Sequence, residues 1–446
     1  MEICTIGGFE EVGKNMTAVK IKDEVYLFDC GFYLPGIIEL QEEPEEEYTV
    51  RGLRRVGGIP DDRVLDKLGW RKNVKAIFIS HAHLDHVGGL QYLIHRYPGI
   101  PIYGTPFTIE VFKALKSDSK INITNPIITV QQDIPYKIKR SNLGIKVEFV
   151  HVTHSTLDCS FVVLHTPEGV FFYGLDYKFD DAPTFGKPTD YNKLKQIGNK
   201  GVKAAVIDTL YASKKESNGT ESDAMRMLEQ AFNKVQDKQS AFFITTFSSH
   251  IERLNNIMKL ALKTRREIIF LGRSLARYID CANKIGKCPF RNKIKILRYR
   301  RQVNSFLSKL NTDRGKYLIV CTGHQGEKNS ILDRISRGQT PFHFRPGDNL
   351  IFSTSVIPTE VNILARHKLD KKLEEIGVVL QKNVHVHGHG SQESKKKLLR
   401  LVRPTHLIPA HGSLEQEKPL IELAKELGYS LGKTSHLVSN GDVLKF

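Results

Sequence analysis

The chain is poor in cysteine, acid and long apolar runs. Its six cysteines are scattered at positions 4, 30, 159, 281, 288 and 321, with no CxxC pair. That excludes a thiolate zinc knuckle and a disulfide framework, and it suits reduced thiols serving as small core residues in a cytoplasm. No apolar run approaches the ~20 residues that span a bilayer, which excludes a membrane helix. The opening MEICTIGGFEEVG lacks a basic region followed by an apolar block, so no secretory leader is expected. Internal repeats and low-complexity tails are also lacking. Acidic residues number 49 against 66 lysines and arginines, a formal charge of +17. Such an excess calls for a polyanionic partner.

What is there is 446 residues, 40% of them hydrophobic, enough for two or three domains with ordinary cores. The charge is uneven. Residues 263–301 hold thirteen lysines or arginines against two acids, whereas ELQEEPEEE (39–47) carries six glutamates and no base. The acidic run reads as a solvated loop, and the basic stretch as a face that meets phosphates.

The first 210 residues read as β-rich. ICTIGG, TAVKIKDEVYLFDCG, KAIFISH, IKVEFVHVTH, SFVVLHTPEGVFFYGLD and KAAVIDT are strand-like, and GGLQYLIHRYP reads as a helix stopped by Pro98. From about residue 211, strands alternate with helices, the pattern of an α/β domain with a parallel sheet. Its strands are AFFITTFSS, IIFLGRSL, GKYLIVCTGHQGE and NLIFSTSVIP. Its helices include SDAMRMLEQAFNKVQ and HIERLNNIMKLALKTR. From about 380 the β-type texture returns: VHVHGHG, a basic helix over 391–402, THLIPAHG and a closing hairpin.

One stretch stands out chemically. FISHAHLDHVGGL places His81, His83, Asp85 and His86 in six positions after an apolar run. Histidines at i and i+2 on a turn can aim both imidazoles at one ion. Asp85 and His86 can reach a second ion from the same turn, and zinc accepts such N and O ligands. A polar turn capping a helix would rarely need four ligand-type residues. Two further strand ends, at His154 and Asp176, offer completing ligands. His151 lies three residues before His154, and strand alternation gives it the opposite face and a structural role.

HAHLDH resembles the signature of the metallo-β-lactamase fold, a four-layer αββα sandwich. The resemblance implies a two-metal site: His81, His83 and His154 on one zinc, Asp85 and His86 on the other, Asp176 bridging. Asp85 could also orient the nucleophile. The inserted α/β domain resembles a β-CASP domain, which marks nucleic-acid hydrolases of that superfamily. Its motifs fall on Asp208 in AAVIDT, His389 in HVHGHGSQE and His411 in LIPAHGS. The resemblance makes His411 a ligand of the second zinc, His389 a general acid and Asp208 its orienting partner; a histidine at the third motif favours RNA over DNA. The expected domains are 1–208 and 376–446 for the sandwich and 209–375 for the insert.

GGFEEVGKNM, TTFSSHIERL, TGHQGE, IFSTSVIP and HVHGHGSQE together resemble the ribonuclease J family, in its shorter archaeal form. The resemblance implies a zinc-dependent 5′→3′ exoribonuclease preferring 5′-monophosphorylated single-stranded RNA, with two Zn2+ per chain and Mn2+ or Mg2+ as additions. It also implies a cytoplasmic homodimer with no membrane partner. A mainly endonucleolytic enzyme of the cleavage-and-polyadenylation type is the alternative; those relatives carry N-terminal KH domains, and this chain begins in the catalytic fold. A small-molecule lactonase is opposed by the charge and the insert, a catalytically dead scaffold by the intact ligand set.

The resemblance expects a 5′-phosphate pocket where the two domains meet. Ser248, Ser249 and His250 would form one wall, and His385, Val386, His387, Gly388 and His389 the other. The serines have a second reading as caps of the helix HIERLNN. Gly388 would let backbone N–H groups approach a phosphate. His250, His324 and His387 depart from the family pattern. If they touch the 5′-phosphate, binding should tighten as they protonate below pH ~6.5.

Overall fold

A computed structural model of the chain describes residues 1–42, 48–119, 121–217, 219–357 and 359–446. The chain folds as two units. The first comprises Met1–Phe179, Pro188–Asn218 and Gly388–Phe446; the second comprises Asp180–Lys187 and Gly219–His387.

Among the described residues, the first unit contains two sheets. One runs in the order Val443–Lys445, Glu2–Gly7, Met16–Ile21, Glu24–Phe28, Val74–Ile79, Ile102–Gly104, Ile127–Thr129. The other runs His406–Ala410, Val202–Asp208, Gly169–Gly174, Ser160–Thr166, Lys146–His151, Pro135–Lys137. Strand alternation divides their apolar residues between two layers. Phe28, Phe78, Phe149, Phe171 and Tyr173 fill the space between the sheets. The Phe28 ring lies 4.9 Å from that of Phe171, edge-on. The alternate residues of the second sheet, among them Phe161, Phe172, Ala205 and Ile207, face helices Tyr191–Asn199, Gln392–Val402 and Leu414–Glu426. Helix Pro106–Asp118 packs with the strands at one side of the first sheet. This is the expected αββα sandwich.

The second unit is built on one parallel sheet in the order Lys295–Leu297, Glu267–Leu271, Tyr317–Cys321, Phe242–Thr245, Asn349–Phe352, Val379–Gln381. Phe243 faces a core shared with Leu307, Leu332 and Leu373 from three helices. Its neighbour Phe242 faces Phe232 on the other side, at 5.1 Å. Helices therefore cover both faces, as a parallel sheet requires. Inside this unit Arg253 is fully buried and forks onto Glu221, Nε to Oε2 at 3.0 Å and Nη2 to Oε1 at 2.9 Å.

The domain limits differ from those expected at both joins. Residues after Asp208 stay with the sandwich because Thr209 N donates to Ala410 O (3.0 Å) and Gln392 N to Lys214 O (2.9 Å). Val379–Gln381 extends the parallel sheet, which keeps residues past 375 in the second unit. The strap 180–187 also belongs there: Thr184 N and Phe185 N both donate to Glu252 Oε1, at 2.6 and 2.9 Å.

Other local expectations are corrected. VHVHGHG forms no strand. Val443–Lys445 closes the first sheet against Glu2–Gly7 instead of forming a hairpin with its neighbour. GGLQYLIHRYP forms two short turns of helix, Leu90–Leu93 and Ile94–Arg96, rather than one helix. Residues 39–42 of the acidic run continue helix Leu34–Glu42, and 43–47 lie outside the described residues. All six cysteines are buried, and none is in a disulfide. Among the described residues no helix is long and apolar enough to cross a membrane.

Phe171→Ala should lower unfolding free energy by about 3–5 kcal/mol, because the cavity lies between two stiff sheets that cannot collapse onto it. A urea titration of both proteins measures this, and a decrease below about 1 kcal/mol would mean that the two layers do not pack through this ring.

Candidate metal centre

The site is assembled from strand ends. Val74–Ile79 delivers Ser80 and His81; His83 then stands at the N-cap position of the short helix Leu84–Val87, which carries Asp85 and His86. His154 follows Lys146–His151, Asp176 follows Gly169–Gly174, and His411 follows His406–Ala410. Asp176 and His411 adopt left-handed backbone, with φ 49° and 61°. Such conformations cost roughly 1–3 kcal/mol each and persist where the surroundings impose them.

The histidine turn leans on segment 29–32. Cys30 N donates to His86 O (2.7 Å) and Phe32 N to Leu84 O (2.8 Å). A Cβ on Gly31 would fall 1.6 Å from Asp85 O, so only glycine fits there.

Two ligand-type groups result: His81, His83, His154 and Asp176, and Asp85, His86, Asp176 and His411. Asp176 belongs to both, and its oxygens divide between them. Oδ2 lies 3.5 Å from His81 Nε2 and 3.4 Å from His154 Nε2. Oδ1 lies 3.2 Å from His86 Nε2 and 3.5 Å from His411 Nε2. With metal–ligand bonds of about 2.0–2.2 Å, two ligands of one tetrahedral ion stand roughly 3.3–3.5 Å apart. The spacing fits ligands of a shared ion. His81 Nε2 and Asp176 Oδ1 are also buried without a hydrogen bond. The donor set therefore suits a metal.

The remaining ring nitrogens are held from behind. His86 Nδ1 donates to Asp29 Oδ2 at 2.7 Å, and Ser80 Oγ donates to the same oxygen at 2.8 Å. His81 Nδ1 lies 3.0 Å from Ser80 Oγ. His154 Nδ1 donates to Gly388 O at 2.7 Å, and a Cβ on Gly388 would stand 2.7 Å from Ser155 Oγ and 3.1 Å from the His154 ring. His411 Nδ1 meets the side-chain amide of Asn15, 3.1 Å from its Oδ1. These contacts point each free Nε2 inward.

Charge follows the same plan. Burial, with His86 beside one and His83 beside the other, pushes His81 and His154 well below the ordinary imidazole range. Burial also lowers His83 and His411. All four are thus neutral, as metal ligation requires. Burial works against the charged form of His86 too, but Asp176, Asp85 and Asp29 outweigh it and raise that ring. Burial would raise the Asp176 carboxyl, yet His411, His86 and His389 hold it well below the usual range.

His389 stands beside this cluster. Its Nδ1 donates to Asp208 Oδ2 at 3.0 Å and its Nε2 lies 3.8 Å from Asp176 Oδ2. Burial opposes its charged form, while Asp208 and Asp176 raise it. Burial would raise Asp208 as well, but Lys395 and His389 bring it down to about 2.

The remaining expected site residues lie in the second unit. Ser248 and Ser249 do not cap helix Ile251–Ala261; His250 occupies the cap position and makes no side-chain cap bond. His385 Nδ1 accepts from Arg253 Nη1 at 3.1 Å, and Val386 is buried. Burial beside Arg366 pushes His324 down to about 3. Sequence reasoning missed Asn15, Asp29, Gly31 and Lys395. A signal existed for two of them: FDCG ends an apolar strand as HAHLDH does, and Asp29 and Gly31 lie in it.

Asp29→Asn should weaken metal binding by roughly 10–100-fold, because it loosens the nitrogen behind His86. Competition against a chromophoric chelator reads this directly, and unchanged affinity would remove Asp29 from the site.

Three family descriptions match the chain. Residues 10–173 match the metallo-β-lactamase superfamily, 239–370 the β-CASP domain of ribonuclease J, and 375–434 the RNA specificity domain of Zn-dependent metallo-hydrolases. Ribonuclease J of Pyrococcus abyssi is 37% identical over 446 residues, spanning 100% of this chain and 97% of that one. Ribonuclease J of Methanocaldococcus jannaschii is 36% identical over 448 residues, spanning 100% and 99%. Among solved structures, a protein of unknown function from Enterococcus faecalis shares the fold, with a TM-score of 0.62, 16% identity and 99% of each chain covered. Sandwich, insert, divided Asp176 and full-length relatives agree: the chain belongs to the ribonuclease J family of metallo-hydrolase nucleases.

Proposed function

We propose that the chain is a two-zinc 5′→3′ exoribonuclease that prefers 5′-monophosphorylated single-stranded RNA. The observation that carries this reading is Asp176, whose two oxygens each face a different pair of histidines. In it, His81, His83 and His154 would hold one zinc and Asp85, His86 and His411 the other, with Asp176 serving both. Bound zinc supplies Lewis-acid stabilisation of the phosphodiester's developing charge and acidifies a water. Mn2+ or Mg2+ would be additions to the two zinc ions.

The chain's own residues do the rest. Asp85 helps to orient the nucleophile. His389 holds a proton at Nε2 for the departing 3′-oxygen, and Asp208 fixes the ring by accepting from Nδ1. Recognition of the 5′-phosphate falls to Ser248, Ser249 and His250, with His385, Val386, His387, Gly388 and His389. The fixed hydrogen bond from Arg253 gives His385 a supporting part there. The exposed Arg273 and half-buried Arg277 belong to the basic stretch that meets RNA phosphates. The same reading makes the protein a cytoplasmic homodimer.

Parallel digestion of 5′-labelled and 3′-labelled RNA tests the direction. Early release of mononucleotide from the 5′ label is expected; fragments of intermediate length would favour the endonucleolytic alternative. In the same assay Asp176→Asn should remain folded and lose hydrolysis, and near wild-type turnover would sink the two-metal reading.

Neutralising Arg273 and Arg277 together should weaken RNA binding and flatten its dependence on salt by roughly 0.7 for each phosphate that is no longer neutralised. Filter binding across a salt series measures the slope; an unchanged slope and affinity would make residues 263–301 a solvated face.

A further inference from the structure

Helix Gln392–Val402 carries a lysine on its apolar stripe. Its buried positions are Lys395, Leu398, Leu399 and Val402, one helical face by spacing. Its neighbours behave as lysines usually do: Lys396 reaches Glu426 at 3.2 Å near the surface, and Lys397 lies over the Tyr191 ring. Lys395 points inward and is fully buried. Its Nζ donates to Asp208 Oδ2 at 2.7 Å and sits 4.5 Å from the centre of the Tyr177 ring, next in sequence to Asp176.

Asp208 is thereby held from three directions. Oδ2 accepts from Lys395 Nζ and from His389 Nδ1, while Oδ1 accepts from Leu210 N at 2.8 Å. Stability gives little reason for this arrangement. Desolvating a lysine and a carboxylate offsets most of their attraction, and apolar residues of similar volume commonly do as well or better. Tyr177, whose ring the Lys395 ammonium faces, and Leu398 and Leu399 on the same buried helix face belong to one apolar cluster that would accept a methionine. What the lysine adds is a second cation on the oxygen that orients His389.

We propose that Lys395 is a positioning residue of the hydrolytic reaction: by sharing Asp208 Oδ2 with His389, it fixes the carboxylate that aims the His389 ring at Asp176. The proposal rests on the reading of His389 as the proton donor. Lys395 acts only through Asp208 and touches neither substrate nor metal ligands.

Four proteins test it: wild type, Lys395→Met, Asp208→Asn and the double variant, each assayed for kcat and KM on RNA, for zinc content and for Tm. Lys395→Met should lower kcat by about tenfold or more, a part of the roughly 10²–10⁴ that a positioned proton donor contributes. Its KM should stay within about twofold, since Lys395 does not touch the substrate, and its zinc content should be unchanged. The double variant should show the kcat of Asp208→Asn alone. This last comparison does not need Lys395→Met to fold, because the double variant buries no unpaired charge; it needs only a folded Tm for Asp208→Asn, which leaves Lys395 unpaired. Wild-type kcat with only a lowered Tm in Lys395→Met would overturn the proposal and leave a structural ion pair. A double variant several-fold slower than Asp208→Asn, or a fall in kcat that follows depletion of zinc, would also overturn it. Wild-type turnover in Asp208→Asn is a different failure, since it removes the role of His389 itself.

Discussion

The first unit is organised around one buried carboxylate. Asp176 is 2% exposed and meets His81, His86, His154, His411 and His389 between 3.2 and 3.8 Å. An ionised carboxylate in such a place costs several kcal/mol in lost hydration unless cations or strong donors surround it. The sandwich answers that demand geometrically. Two sheets packed face to face bring the ends of strands far apart in sequence to one edge. Residues 81, 154, 176 and 411 arrive there because each follows a strand of that pair. Left-handed backbone at Asp176 and His411 is the local strain that lets their side chains face the centre.

A second layer decides which nitrogen each ring presents. Asp29 takes His86 and Ser80; Gly388 O takes His154; Asn15 takes His411. None of these partners needs to be near the others in sequence, and each uses the nitrogen that a metal does not. The requirement for glycine at 31 follows from the same layer, because the backbone that carries Asp29 also lies against Asp85.

This explains what could be read in advance. HAHLDH is local, so its four ligand-type residues were visible as a cluster, and most strands were legible from their apolar runs, whereas the αββα layering came from the resemblance. His154 and Asp176 were picked as strand ends and gained roles only through resemblance, and Asp208, His389 and His411 came through resemblance, because a lone His or Asp at a strand end carries no chemical signature of its own. Asn15 and Lys395 escaped altogether. Asn15 follows a glycine-rich turn and reads as solvent-facing, and Lys395 sits in SKKK, where three consecutive lysines suggest a surface. Only tertiary packing shows that the first of the three turns inward. The domain joins were misplaced for a similar reason: hydrogen bonds, not composition, assign 209–217 to the sandwich and 180–187 to the second unit. The helix Leu414–Glu426 was missed because Pro419 interrupts its pattern, although its buried face includes Leu420 and Leu423.

The carboxylates around the centre differ in how their charge is balanced, and the difference separates their tasks. Asp208 has a cation of its own in Lys395, which together with His389 holds its carboxyl down to about 2. Asp29 is matched by donors, Ser80 Oγ, Ser80 N and His86 Nδ1, which fix its direction. Asp176 has no lysine or arginine among its close partners, only imidazoles. Four of the imidazoles around the two ligand groups are held neutral by burial, and His86 alone among those ligands is raised. The His86 nitrogen that faces Asp176 is the one a cation would take. Any proton there would be released on binding, which couples metal affinity to pH. The balance at Asp208 would be left as it stands. Charge that must change hands is thus kept on histidine, and charge that must stay fixed is kept on lysine.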